Sequence, residues 1–145
     1  MFQGAHRMRV DAKGRVALPK AFRDLIPEGS FLSIGPDGNL TLYPQEAWDD
    51  LRSVLPSPLT ATREQRELSR AINALASPCQ FDQQGRVMLT SEQRRAVGIE
   101  PESTVVVAGN QAVVEIWAED RWDNYSAGAL SNFTDNVNKA VTRNP

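Results

Sequence analysis

Asp11-Ala12-Lys13-Gly14-Arg15 and Asp82-Gln83-Gln84-Gly85-Arg86 are one five-residue turn written twice, 71 residues apart. Working outward, Val10 and Phe81 precede the turns, and Val16-Ala17-Leu18 and Val87-Met88-Leu89 follow them. Pro19 or Thr90 then opens a charged helix. Further on, Leu42-Tyr43 with Trp48 matches Ile116-Trp117 with Trp122 at an offset of 74, so the second copy holds three extra residues between helix and strand. Each copy, at about 45 residues, is below the size at which a core is self-sufficient, so the two are expected to share one.

Each unit reads as strand, tight turn, strand, short helix, hairpin and closing helix. In the first, Pro19 suits the first helical position, and Phe22, Leu25 and Ile26 are spaced to form one apolar face before Pro27-Glu28-Gly29 ends the helix. Phe31 to Ile34 and Leu40 to Tyr43 are expected as strands around the turn formers 35–39, and residues 45–55 as a helix. In the second, Thr90 with Gln93 fits a capping box and Gly98 a C-terminal cap. Thr104 to Ala108 and Ala112 to Trp117 are expected as strands turning at Gly109-Asn110, and 118–126 as the closing helix. Pro56-Ser57-Pro58 is a stiff break, after which Thr62 with Gln65 opens a helix. The units are placed at residues 5–48 and 77–122, joined by a helical connector over 49–76. A tail over 123–145 has few large apolar residues beyond Leu130, Phe133, Val137 and Val141, and is read as a frayed helix or disorder.

The composition is that of a soluble globular protein, with 41% hydrophobic and 23% charged residues. No apolar run approaches the ~18 residues of a membrane helix, and the N-terminus lacks the basic-then-apolar order of a secretory signal. No membrane partner is expected. A lone cysteine, Cys79, excludes an internal disulfide framework and fits the cytoplasm; it reads as a small buried residue. With one His and one Cys, no metal site is expected, and no catalytic elbow, phosphate loop or dinucleotide fingerprint points to a cofactor or small-molecule substrate. The acids Asp49-Asp50 and Glu119-Asp120 are adjacent on predicted helices, where neighbours diverge, so an enzyme is not expected. Trp48, Trp117 and Trp122 read as shared-core or subunit-contact residues.

The net charge of −2 hides an uneven distribution. Residues 1–24 carry six basic side chains, Arg7, Arg9, Lys13, Arg15, Lys20 and Arg23, against Asp11 and Asp24, whereas residues 25–145 carry ten basic and sixteen acidic ones. A basic patch therefore surrounds the first turn, the electrostatic footprint of a nucleic-acid contact.

In the turn itself, Asp11 or Asp82 can accept backbone N–H groups, and Gly14 or Gly85 can take a positive φ. A plain tight turn of this kind, with Arg paired to its own Asp, needs no ligand. Strand alternation offers a second reading: with Val16 and Leu18 facing the core, Arg15 points the other way, as does Arg86 relative to Val87 and Leu89. A planar guanidinium can grip phosphate oxygens or guanine O6 and N7 in a bidentate fork, and Lys13 adds a point charge. The candidate DNA contacts are Arg15, Lys13, Arg86, Arg7 and Arg9, on turns formed by Asp11, Gly14, Asp82 and Gly85.

Met1-Phe2-Gln3-Gly4-Ala5, the doubled Asp-x-x-Gly-Arg turns, Leu42-Tyr43-Pro44 with Trp48, and Cys79-Gln80-Phe81-Asp82 resemble the MraZ family, in the AbrB-like group of bacterial DNA-binding proteins. The resemblance covers the chain to about residue 125. It implies an α+β fold of two tandem AbrB-like swapped-hairpin units, packed as a pseudo-twofold double-split β-barrel with short peripheral helices. It also implies ring-like homo-oligomers, nucleoid association, and binding to repeated boxes of double-stranded DNA at the promoter of the cell-division and cell-wall operon, with repression as the expected sign. The family's signature falls on Asp11 with Arg15 and on Asp82 with Arg86. The second turn has Gln84 where the first has Lys13, so the copies are not equivalent. The alternative is an antidote-like protein-binding module of the same fold, using the acidic C-terminal half.

Overall fold

The computed structural model describes residues 1–143 and contains eight strands and six helices. The first copy supplies β1 (Ala5–Arg9), β2 (Arg15–Ala17), α1 (Lys20–Arg23), β3 (Phe31–Ile34), β4 (Leu40–Tyr43) and α2 (Gln45–Val54). After α3 (Arg63–Ala74), the second supplies β5 (Ser77–Pro78), β6 (Arg86–Met88), α4 (Ser91–Val97), β7 (Thr104–Asn110), β8 (Val113–Ala118) and α5 (Glu119–Ser131), followed by α6 (Phe133–Arg143).

Neither copy pairs its first strand with its own hairpin. β1 runs antiparallel to β7, from Ala5 opposite Ala108 to Arg9 opposite Thr104. β5 pairs with β3, and β4 joins β8 between the hairpins. The resulting six-stranded order, β1-β7-β8-β4-β3-β5, reads the same from either end when each strand is exchanged for its repeat counterpart. β2 and β6 form a separate two-stranded ladder with Val16 opposite Val87. The fold is therefore α+β, and its antiparallel strands close no barrel among the described residues. Val10, Val16, Leu18, Leu32, Leu42, Val87, Leu89, Val105 and Ile116 from both copies fill one buried cluster, so the core is shared as the length of the units requires.

Local chemistry explains several helix ends. The capping boxes Thr62/Gln65 and Thr90/Gln93 are both formed, and Gly98 closes α4 at φ +73°. Each closing helix is anchored by aromatics: Trp48 stacks on Phe31 at 4.9 Å, and Trp117 meets Trp122 at 5.7 Å and Tyr125 at 4.8 Å.

Two expectations are corrected and a third is narrowed. Helix α1 ends at Arg23, because Leu25 and Ile26 donate to the carbonyls three residues back, of Phe22 and Arg23; this tighter winding leaves Leu25 53% exposed while Ile26 still packs on the core. Gly109-Asn110 is strand rather than turn, and the chain reverses through Gln111 and Ala112, with Gln111 at φ +57°. Gly109 is small for another reason: the N-terminal backbone crosses it, and a Cβ there would lie 2.4 Å from Phe2 C and 2.4 Å from Gln3 N. Of the two readings of the stretch after residue 122, helix is the one formed, through α5 and α6, with Asn132 N–H closing α5 by donating to Gly128 O at 3.0 Å. Asn144 and Pro145, the end of the expected tail, lie outside the described residues. No helix among the described residues is long and apolar enough to cross a membrane.

The Gly109 contact gives a test of the N-terminal docking. Gly109→Ala must push the Phe2–Gln3 backbone away from β7, at a cost of about 1–3 kcal/mol. The expected result is a lower thermal midpoint together with faster amide exchange at Phe2 and Gln111, which exchange hydrogen bonds of 2.8 and 3.2 Å.

Candidate nucleic-acid interface

The β2–β6 ladder sets the two turns side by side, each built from its own residues and held by the other copy. In the first, Asp11 N–H donates to Arg15 O at 2.9 Å and Gly14 N–H to Asp11 O at 3.1 Å, with Gly14 at φ +85°. Asp11 Oδ1 accepts the N–H groups of Lys13 and Arg15 at 3.0 and 2.8 Å. The second turn repeats this: Asp82 Oδ1 accepts from Gln84 and Arg86, both at 2.9 Å. Across the copies, Leu89 N–H donates to Gly14 O at 2.9 Å and Leu18 N–H to Gly85 O at 3.3 Å.

Arg15 and Arg86 are neither free nor core-facing. Each turns its Nε onto its own aspartate Oδ2 at 2.8 Å, with side chains 29% and 25% exposed. This is the pairing expected of a plain tight turn, and it uses only one edge of the Arg15 guanidinium among the described residues. Arg86 is held twice, since its Nη1 also reaches Asp11 Oδ2 at 3.3 Å.

Two further arginines join the turns. Arg23 donates Nε–H to Leu18 O at 3.0 Å and covers Gly85, where a Cβ would stand 2.6 Å from Arg23 Cζ. Arg94 donates to Leu89 O at 3.3 Å and covers Gly14, whose added Cβ would lie 2.8 Å from Arg94 Nε. Neither has a carboxylate partner among the described residues. The glycines thus serve both a positive φ and the approach of a guanidinium from the opposite copy. The sequence reading counted Arg23 in the basic patch but named neither Arg23 nor Arg94 as a turn contact; the signal was available, because the pair keeps the 71-residue offset of the turns.

The remaining candidates divide. Lys13 is exposed at the tip of its turn. On β1, Met8 packs against the core, so alternation puts Arg7 and Arg9 on the other face of the strand. Arg7 is engaged there with α5, through Glu119 at 2.7 Å and Asp123 at 3.0 Å, and these hydrogen bonds raise its pKa further. It is not brought to the turns. Arg9 is exposed and has no charged partner among the described residues. Cys79 is buried, which pushes its thiol up to about 11.

The backbone N–H of Arg15 is the main cause of a lowered Asp11 pKa, helped by the Arg15 side chain and the Lys13 N–H; Arg86 and Gln84 do the same for Asp82. A carboxylate whose folded pKa is depressed stabilises the fold above its unfolded value of ~3.9, and that contribution is lost as pH falls through the folded value. Acid unfolding should therefore include release of both turns. Asp11→Asn with Asp82→Asn should flatten the stability–pH curve below about pH 4, as read by urea unfolding at stepped pH; an unchanged acid slope would refute it.

The family model described as "MraZ protein, putative antitoxin-like" matches residues 1–70 and 73–144. The chain is 32% identical over 139 residues to "Transcriptional regulator MraZ" of Lachnoclostridium phytofermentans, covering 96% of each chain. It is 33% identical to the protein of that name from Ligilactobacillus salivarius, covering 93% of each. The counterpart from Pelotomaculum thermopropionicum is also 33% identical, covering 99% of this chain and 98% of the relative. A family-model match over both halves of the sequence, with relatives about a third identical along nearly the whole chain, shows that this chain belongs to the MraZ family.

Proposed function

We propose that this protein is a transcriptional regulator that binds double-stranded DNA through its paired turns. The observation that carries the reading is the β2–β6 ladder, which gathers Lys13, Arg15, Arg23, Arg86 and Arg94 around two turns carrying only Asp11 and Asp82. The name of the curated relatives supports it. Arg15 with Lys13 makes the main contact, Arg86 and Arg9 support it, and Arg7, occupied by Glu119 and Asp123, is the least available of the candidates.

The interlocked strand pairs are read as an AbrB-like double-split arrangement, with residues 5–48 and 77–122 as its two units. One patch touching about three or four phosphates would bind weakly and with steep salt dependence, the slope being roughly 0.9 per phosphate. A ring-like homo-oligomer presenting the patch to consecutive repeated boxes would add roughly 10² to 10⁴ by avidity. The target is the promoter of the cell-division and cell-wall operon, with repression as the outcome and the nucleoid as the location.

A footprint on the protein's own upstream region at two salt concentrations tests this. Protection of regularly spaced boxes that fades steeply with salt is expected; no protection at low salt sinks the reading. The antitoxin-like wording of the family description favours a second reading. In that case an unrelated protein should co-purify in fixed ratio and bind the acidic C-terminal half.

A further inference from the structure

The two copies of the signature are wired differently. Asp11 Oδ2 accepts from two arginines, Arg15 at 2.8 Å and Arg86 at 3.3 Å. Asp82 Oδ2 accepts from Arg86 at 2.8 Å, and no reciprocal bond from Arg15 to Asp82 exists among the described residues. Arg86 is therefore strung between two carboxylates by Nε and Nη1. Arg15 is tied by Nε alone, which leaves its two terminal nitrogens without partners among the described residues.

The electrostatic consequence follows. A phosphate approaching Arg86 meets a cation flanked by two negative groups. One approaching Arg15 meets a cation whose single carboxylate is shared with another guanidinium. Asp11 in turn is saturated: Oδ1 takes two backbone N–H groups and Oδ2 two guanidinium N–H groups. A carboxylate with four donors has its orientation fixed, and it fixes the arginine that leans on it.

We infer that the duplicated signature has divided its work: Arg86 is a positioning residue that holds Asp11, and through Asp11 the guanidinium of Arg15, which touches the DNA. This rests on the DNA-binding reading and changes Arg86 from a second contact into a brace for the first. A guanidinium suits this role, because its rigid fork sets Nε on one carboxylate and Nη1 on the other, an orientation that the single nitrogen of an ammonium does not fix.

The test uses the full-length chain with Arg86→Ala, Arg15→Ala and both together, titrated against the upstream DNA over a range of salt. Arg86→Ala is expected to weaken specific binding roughly tenfold while keeping the wild-type salt slope, since no phosphate contact is lost. The double variant should bind no worse than Arg15→Ala alone when the two are compared at low salt, where Arg15→Ala keeps residual non-specific affinity, because the brace acts only through Arg15. A second arm needs no DNA: NMR exchange of the Arg15 Nε–H should quicken in Arg86→Ala while the thermal midpoint moves by only a few degrees. A salt slope reduced by about one, with additive losses, would make Arg86 a direct phosphate contact and overturn the proposal. Wild-type affinity in Arg86→Ala, or unchanged Arg15 Nε–H exchange, would overturn it too. Absence of specific binding by the wild type would instead sink the DNA reading, leaving the exchange arm to decide the brace.

Discussion

Arg15→Ala should abolish box-specific DNA binding while leaving a folded chain of unchanged oligomeric state. The affinity argument is one of multiplication. A bidentate arginine contact discriminates its base by about 1–3 kcal/mol, and in an assembly the loss recurs at every patch that engages a box, so the avidity term collapses with it. The stability argument runs the other way. Arg15 pairs with Asp11 at a partly exposed, solvent-screened site, where such pairs add little to stability. The turn itself is held by backbone groups that alanine keeps: Asp11 still accepts the N–H of residues 13 and 15, and Gly14 O still accepts Leu89 N–H. Footprinting and circular dichroism on the same preparation separate the two effects. Specific binding retained by the variant would remove Arg15 from the site, and with it the assignment of this face.

The largest effect on stability is expected at Gln93, a buried polar residue that is 1% exposed. Its Oε1 accepts Thr90 N–H at 2.9 Å as the returning half of the α4 capping box. Its Nε2 donates to Leu75 O at 2.8 Å, Ser77 Oγ at 2.9 Å and Leu32 O at 3.3 Å. One side chain thus joins α4 to β3 of the other copy and to the end of the connector. Gln93→Ala removes the partner of all four groups, of which Leu32 O is buried and those of Thr90, Leu75 and Ser77 are half-buried. An unsatisfied buried group costs about 1–3 kcal/mol before relaxation and the lost side chain adds a cavity, so a loss of roughly 3 kcal/mol is expected. At typical urea m values of about 1–3 kcal/mol/M, this lowers the midpoint by at least ~1 M with m unchanged. A shift under about 1 kcal/mol would mean that water enters and replaces the amide.

The parts of this structure that sequence made legible are those decided by neighbours in the chain. Thr90 with Gln93 announces a helix start because both halves of the capping box lie within four residues. Phe31–Ile34 and Leu40–Tyr43 are bounded by their own turn formers, and both strands occupy the expected residues. The doubled turn was visible because its spacing repeats. What escaped was set by distant chain. Gly109 resembles a hairpin glycine until the N-terminal backbone is seen to cross it. Leu25 fits a helical stripe, but the winding of α1 tightens beneath it. Arg23 and Arg94 are surface charges in any local window and become part of the turns only through interlocking, which puts each over the other copy's glycine. The ion pairing of Arg15 was open on sequence alone, because alternation sets the side of a strand and not the partner a long side chain finds there.

The strand order that reads alike from both ends has a genetic consequence. In an assembly of two identical chains every substitution lands twice, so a residue cannot be lost from one half and kept in the other. Joining the halves in one polypeptide lifts that restriction. Lys13 can persist opposite Gln84, and one arginine can specialise while its twin is freed for another duty. The scaffold stays near-symmetric while mutation shapes its two faces independently.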